Sequence, residues 1–195
     1  MRLIALSGRA GSGKNTVADM LGCPQISFAE PLKRFCQEVF AFTDAQMFGP
    51  SSERNRPDPR YHRPCPSCFL TGCPNCNDLG VTFLTPRHAL QTLGTEWGRD
   101  CYGNVWADLG VRKALATPSH VVVITDCRFV NEAEAVRRAG GEVWRVVRPG
   151  AGLTGAAGLH PSEAEQESDR FMDLVTRTIE NSGDLSDLRR MVLGQ

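Results

Sequence analysis

The sequence predicts an α/β domain, a parallel β-sheet with helices on both faces and one small cysteine-rich insertion. Three observations carry that prediction. A short apolar run, Arg2 to Ser7, meets a glycine loop and then a helical pattern from Lys14 to Leu21. Farther on, "HVVVITD", "NEAEAVRRAGG" and "EVWRVVR" alternate as strand, glycine-closed helix and strand, the βαβ rhythm of a parallel sheet. Between Phe48 and Thr85 the periodicity gives way to a stretch rich in Pro, Arg and Cys, so 48–84 reads as an insertion in an otherwise single domain, 1–195.

The remaining elements follow in order. A short strand near Ile26 precedes a helix that Pro31 can start, with Leu32, Phe35, Val39 and Phe42 expected on its buried face. Thr85-Pro86 is an N-cap and first-turn pair for a helix through about Trp97, and Asn104 can cap another through Leu115. A strand is expected around Leu174 to Ile179 and a last helix from about Asp184. Trp97, Trp106 and Trp144 are read as core residues, the usual fate of large aromatics.

Composition excludes several classes of function. The 22 basic and 22 acidic side chains among 195 residues cancel, so no global field draws the chain to nucleic acid or membrane. No apolar run approaches the roughly 18 residues of a membrane span, and "MRLIALSG" is too short for a signal peptide. A cytoplasmic chain is therefore expected. In that compartment eight cysteines point to metal or plain burial rather than to disulfides.

Gly8, four intervening residues, Gly13 and Lys14 reproduce the spacing G-x-x-x-x-G-K. Its glycines let backbone N–H groups turn toward phosphate oxygens, its lysine adds a charge, and the helix behind adds the positive end of its dipole. Asn15 stands where Ser or Thr usually follows the lysine, with Thr16 one place later; G-K-x-T is common in small-molecule and nucleotide kinases. There is no N-K-x-D guanine-reading motif. Asp126 ends the apolar run Val121 to Ile124, the position of a carboxylate that holds magnesium or its waters. Arg128, two residues on, can clamp a phosphate or pair with Glu132.

"LSGRAGSGKNTVADML", "FAEPLKRF", "RHALQTLGTEWGRD", "ITDCRFVNEAEAVRRAGGEVWRVVRPG" and "HPSEAE...IENSGDLSDL" occur in the order seen in bacteriophage deoxynucleoside monophosphate kinases, which the chain resembles over nearly its whole length outside 48–84. The resemblance implies ATP- and magnesium-dependent phosphoryl transfer to a deoxynucleoside monophosphate, in the host cytoplasm if the chain is phage-encoded. By matching position, Gly11, Ser12, Gly13, Lys14, Asn15 and Thr16 would cradle the ATP phosphates, and Asn181 and Gly183 would form the adenine-side loop. Arg87, Gln91 and Arg99 would face the acceptor, and Arg128 would lie between the phosphates being joined. "AGLTGAAGLHPSEAEQESDR", flanked by Arg148 and Arg170, has the look of a lid, and His160 and Glu163 match an H-x-S/T-E element in which Ser162 can cap a helix. The resemblance also admits a homodimer. A dephospho-coenzyme A kinase-like activity and a nucleic-acid-binding NTPase are the competing readings.

"CPSCFLTGCPNC" sets Cys65, Cys68, Cys73 and Cys76 as two C-x-x-C knuckles four residues apart, the ligand count and spacing of a structural zinc site. Reduced free thiols and an iron–sulfur centre are the alternatives, and His62 could replace one cysteine. The flank "ERNRPDPRYHRP" has a local arginine surplus that reads as a stiff solvated arm or a phosphate contact.

Overall fold

A computed structural model describes residues 1–152 and 164–194. In chain order the elements are β1 (Arg2–Ser7), α1 (Lys14–Leu21), β2 (Gln25–Ile26), α2 (Glu30–Phe40), α3 (Asp44–Phe48), α4 (Ser51–Asn55), β3 (Asp58–Pro64), a 3₁₀ turn (Pro74–Cys76) and β4 (Val81–Leu84). There follow α5 (Pro86–Gln91), a π-helical stretch (Thr92–Arg99), α6 (Val105–Ala116), β5 (Val121–Ile124), α7 (Val130–Arg138) and β6 (Glu142–Val147). A 3₁₀ turn (Glu165–Glu167), α8 (Asp169–Met172), β7 (Arg177–Glu180) and α9 (Leu185–Leu193) complete the described chain. Backbone contacts divide it into two compact units, residues 1–29 with 104–195, and residues 30–103. No helix among the described residues is long and apolar enough to cross a membrane.

The first unit holds the five-stranded sheet, ordered β2-β5-β1-β6-β7 and parallel throughout. Alternate residues of a strand point to opposite faces, and β1 is apolar on both. Leu3 and Ala5 join Val122, Ile124, Phe28, Phe171 and the inner residues of α6 and α7 on one face. Ile4 and Leu6 join Val123, Trp144, Ile179 and the inner residues of α1 and α9 on the other. β1 is therefore the central strand. The loops after β1 and β5, neighbours in the sheet, emerge at the same carboxyl edge, where ligands of such sheets bind.

The second unit is built on a smaller cluster of Cys36, Phe42, Met47 and Ala89, with Phe40, Tyr61, Leu84, Leu90 and Leu93 packed around it. Here the sequence expectations need correcting. On α2 the buried pair is Leu32 and Cys36, four residues apart, while Phe35 and Val39 are about half exposed. The insertion is not irregular: α4 spans Ser51–Asn55, and β3 pairs antiparallel with β4. Pro57, Pro59 and Pro64 concealed that hairpin, because proline cannot donate to a ladder and is tolerated only at the edges that a two-stranded sheet offers.

The helix expected from Pro86 begins as α5, capped by the Thr85 hydroxyl, which accepts from the His88 N–H at 3.1 Å. It then widens into the π-helical stretch, a geometry otherwise rare and mostly found at functional sites. Gly94, where a Cβ would sit 3.2 Å from Leu32 Cδ1, and Gly98 are buried there, and Trp97 is exposed instead of core. Asn104 stands at the N-cap of α6 without a side-chain cap bond; its side-chain Oδ1 accepts from Asn131 Nδ2 at 2.9 Å.

Candidate active site and metal centre

The loop between β1 and α1 has the conformation that the glycine spacing demands. Gly8, Gly11 and Gly13 take φ of 140°, 79° and 101°, in the region that side chains rarely enter. A Cβ on Gly8 would lie 2.3 Å from the Val146 carbonyl oxygen, so the loop's entry admits only glycine. Gly13 stands at the N-cap of α1 with no side-chain cap, which leaves the first N–H groups of an eight-residue helix for a ligand. The buried Ser12 hydroxyl has no hydrogen-bond partner among the described residues, and such an orphan in a ring of amides suits a phosphate oxygen.

Lys14 is almost fully buried, and its ammonium donates to the carbonyls of Gly8 at 2.6 Å and Arg9 at 2.9 Å. An ammonium has three donors, so the loop itself fixes the direction of the charge. Asn15 is exposed and Thr16 half-buried on the same first turn. Asn181, in the turn after β7, donates to the Ser12 carbonyl at 2.9 Å. A cavity of about 410 Å³, lined by Ser182, Gly183, Asp187, Arg190 and Met191, opens on the residues that follow. Of the two residues expected on the adenine side, Asn181 touches the P-loop and Gly183 lines that cavity.

Asp126 lies where β5 ends, and its carboxylate is already engaged. Oδ2 accepts from the Ser27 hydroxyl at 2.6 Å and the Ala29 N–H at 3.1 Å, and Oδ1 accepts from the Phe28 N–H at 2.8 Å. A carboxylate has about four lone-pair sites, so these three bonds leave room for roughly one further donor, such as a metal-bound water. Nothing in the local sequence singles out Ser27 as that partner. The buried Glu132 carboxylate accepts the backbone N–H groups of Arg128 at 2.9 Å and Phe129 at 3.1 Å, capping α7. That bond fixes the peptide of Arg128. Arg170 pairs with Glu134; of the expected lid, residues 153–163, among them His160, Ser162 and Glu163, lie outside the described residues.

The expected acceptor residues belong to the second unit. Arg87 lies on α5 and donates to the Asn55 side chain, Gln91 ends α5, and Arg99 ends the π-helical stretch.

At the tip of the β3–β4 hairpin the four cysteine sulfurs all lie within 4.8 Å of one another. Sγ separations are 3.8 Å for Cys65–Cys73, 3.7 Å for Cys68–Cys76 and 3.8 Å for Cys73–Cys76. These are far too long for disulfides, and they match the edge of about 3.8 Å that four sulfurs at ~2.3 Å from a central zinc would define. The two knuckles repeat each other. The Cys68 N–H donates to the Cys65 carbonyl at 3.3 Å and the Cys76 N–H to that of Cys73 at 3.0 Å. Each knuckle is followed by two residues in the left-handed region, Phe69 and Leu70, then Asn77 and Asp78. Such residues cost about 1 kcal/mol or more apiece, a strain that something must hold in place.

Four thiols so close cannot all ionise unaided. The backbone N–H of Ser67 holds the Cys65 thiol down to about 7, whereas burial pushes that of Cys73 up to about 12. A divalent cation removes that conflict. His62 lies on β3, its ring 6.3 Å from that of Phe83, and the cluster is complete without it.

No protein-family model matches the chain. Its fold is similar to the crystal structure of TT1252 from Thermus thermophilus, at a TM-score of 0.53 and 20% identity, covering 99% of this chain and 95% of that one. In sequence it is 35% identical, over 92% of its length and 91% of the relative's, to a protein of Acanthamoeba polyphaga mimivirus described as "Putative deoxynucleotide monophosphate kinase". With identity of that extent, the chain belongs to the deoxynucleotide monophosphate kinase family.

Proposed function

We propose that the chain transfers the γ-phosphoryl group of ATP to a deoxynucleoside monophosphate, giving the diphosphate. The kinship with the mimivirus protein carries this reading, and the P-loop with its buried lysine supports it. Phosphoryl transfer needs positioning and positive charge more than covalent chemistry. In this reading the amides from Gly11 to Thr16 receive the ATP phosphates, and Lys14 stabilises charge that develops on the moving group. Asn181 and Gly183 border the adenine. Arg87, Gln91 and Arg99 bind the acceptor monophosphate, and Arg128 spans the phosphates being joined. Magnesium, when bound, would neutralise phosphate charge; Asp126, with one accepting direction left, and Thr16 are the residues to hold its waters.

The chain acts, on this proposal, as a single kinase domain carrying residues 48–84 as an insertion, whose four cysteines hold one structural zinc. Purified protein assayed with ATP against all the nucleoside monophosphates tests the activity. Turnover confined to deoxynucleotides is expected, and turnover with dephospho-coenzyme A alone would overturn it. Elemental analysis of protein purified without added metal tests the second part, with one zinc per chain expected.

A further inference from the structure

We propose that Gln166 and Glu167 are positioning residues for Lys14, acting through the peptides of Gly8 and Arg9. The inference rests on the reading of the P-loop as the ATP site. Lys14 is oriented by two carbonyls, those of Gly8 and Arg9. Each of these residues is in turn held by one residue of the 3₁₀ turn Glu165–Glu167, more than 150 positions away in the chain. The fully buried Gln166 accepts the Gly8 N–H on Oε1 at 3.1 Å. Glu167 accepts from Arg9 Nε on Oε1 at 3.1 Å.

The turn is itself fixed to the sheet. Arg145 on β6, with a side chain only 13% exposed, donates to the Gln166 carbonyl at 2.8 Å and to Glu167 Oε2 at 2.7 Å. Glu165 accepts the Val130 N–H at 2.8 Å, at the start of the helix that follows Arg128. Three consecutive residues thus reach the P-loop's first two residues and the entry to α7.

A chain of contacts therefore runs from a rigid strand through Gln166 to the Gly8 peptide and on to the ammonium. The Gly8 N–H, in the peptide unit before its Cα, points at Gln166 and its carbonyl, in the unit after, at Lys14, so losing the first bond frees rotation about the Gly8 Cα that can swing the carbonyl off the ammonium. Glycine at φ 140° offers little resistance of its own. The charge of Glu167 against Arg9 and Arg145 holds its carboxyl below the usual carboxylate range even though burial opposes this, so the contact with Arg9 is ionic at neutral pH.

A double-mutant cycle on ATP affinity and steady-state kinetics tests the proposal. Gln166→Met keeps length and removes the acceptor. It should weaken ATP binding and raise KM for ATP by about tenfold, the scale of one buried donor left unpaired, while KM for the acceptor stays within about twofold. Gln166→Glu, which retains an accepting oxygen, should recover most of the loss. In the Lys14→Ala background Gln166→Met should change ATP affinity by less than about twofold, because the group it positions is gone.

Equal losses in both backgrounds, equal effects on both substrates, or no effect in the wild-type background would each overturn the inference. Should Gln166→Met fail to fold, Glu167→Ala, at a half-exposed side chain, is expected to move ATP affinity about threefold in the same direction with the same dependence on Lys14. A wild-type protein that binds ATP but phosphorylates no monophosphate would sink the acceptor assignment alone, since the affinity cycle needs only ATP.

Discussion

The sheet unit and the cysteine hairpin reach order by opposite routes. β1 is buried on both faces, between one cluster that includes Phe28, Ile124 and Phe171 and another that includes Trp144, Ile179 and Leu188. Apolar burial of that kind stabilises a strand without help. The hairpin has only two strands and turns Phe69, Leu70 and Leu79 outward, each more than half exposed. An isolated two-stranded sheet is marginal in water. What it has instead is four convergent sulfurs at its tip and a few anchors at its base: Tyr61 against Phe40 and Phe42, and the buried carboxylate of Asp58. The difference separates chemistry from stability, because changes in the P-loop should alter rate far more than folding, and changes in the hairpin the reverse.

The largest effect should come from Lys14→Ala. It removes a charge aimed by two carbonyls and little apolar contact, so turnover should fall by about 10²–10³-fold or more, with a shift in melting temperature of only a few degrees. A folded variant with wild-type turnover would break the assignment of the loop. Metal removal sharpens the same contrast from the other side. A strong chelator should open residues 65–80 to proteolysis while ATP affinity stays within about threefold, since apparent zinc binding energies of about 10 kcal/mol dwarf anything so small a hairpin buries. If a chelated protein shows an unaltered digestion pattern, packing alone holds the hairpin.

Sequence reasoning found the features that obey a local rule. The strand, glycine loop and helix of the P-loop, the βαβ run through Asp126, the Thr85 cap and the two C-x-x-C knuckles were all legible, because each is set by spacing over a few residues. The hairpin was hidden by its prolines, and the π-helical stretch by a pattern indistinguishable from an α-helix over so few residues. Phe35 and Val39 mislead because periodicity names a face without saying whether anything covers it. Ser27, Gln166 and Glu167 carry no signal: each earns its place through a partner more than 90 residues away. The roles of Arg87, Gln91 and Arg99 came from resemblance, since a residue's spacing does not identify its ligand.

Asp58 gives the hairpin an acid pH dependence of its own. The Arg60 guanidinium, bound to it at 2.7 Å and 2.9 Å, holds the Asp58 carboxyl far below the usual carboxylate range against the opposing effect of burial, and Gln46 adds a further bond. A depressed folded pKa contributes stability that is present above the unfolded value of about 3.9 and lost as pH falls through the folded one. Protection of the hairpin against proteolysis should therefore decline progressively below about pH 4, in metal-loaded protein beyond what zinc release explains. Asp58→Asn should flatten that decline and cost about 1–2 kcal/mol at neutral pH, the Arg60 side of the pair being half exposed. An unchanged acid profile in the variant would assign the decline to the thiolates alone.

The smallest expected effect is that of Tyr61→Phe, at the other anchor. The Tyr61 hydroxyl donates to the Phe40 carbonyl at 2.7 Å, and its ring meets those of Phe40 and Phe42 edge-on, with centroids 5.5 Å and 6.1 Å away. Tyr61→Phe deletes only the hydrogen bond, at a net cost of about 0.5–1.5 kcal/mol, whereas Tyr61→Ala also removes the ring and should cost about 3 kcal/mol. Because the ring is a contact at the hairpin's base and the cysteines lie at its tip, the two variants discriminate between the supports. If the metal dominates, Tyr61→Phe is silent in loaded protein and destabilising only after chelation, when the base alone must hold the strands. Chemical denaturation with and without chelator measures this, and equal losses in both states would mean that base and tip stabilise the hairpin independently.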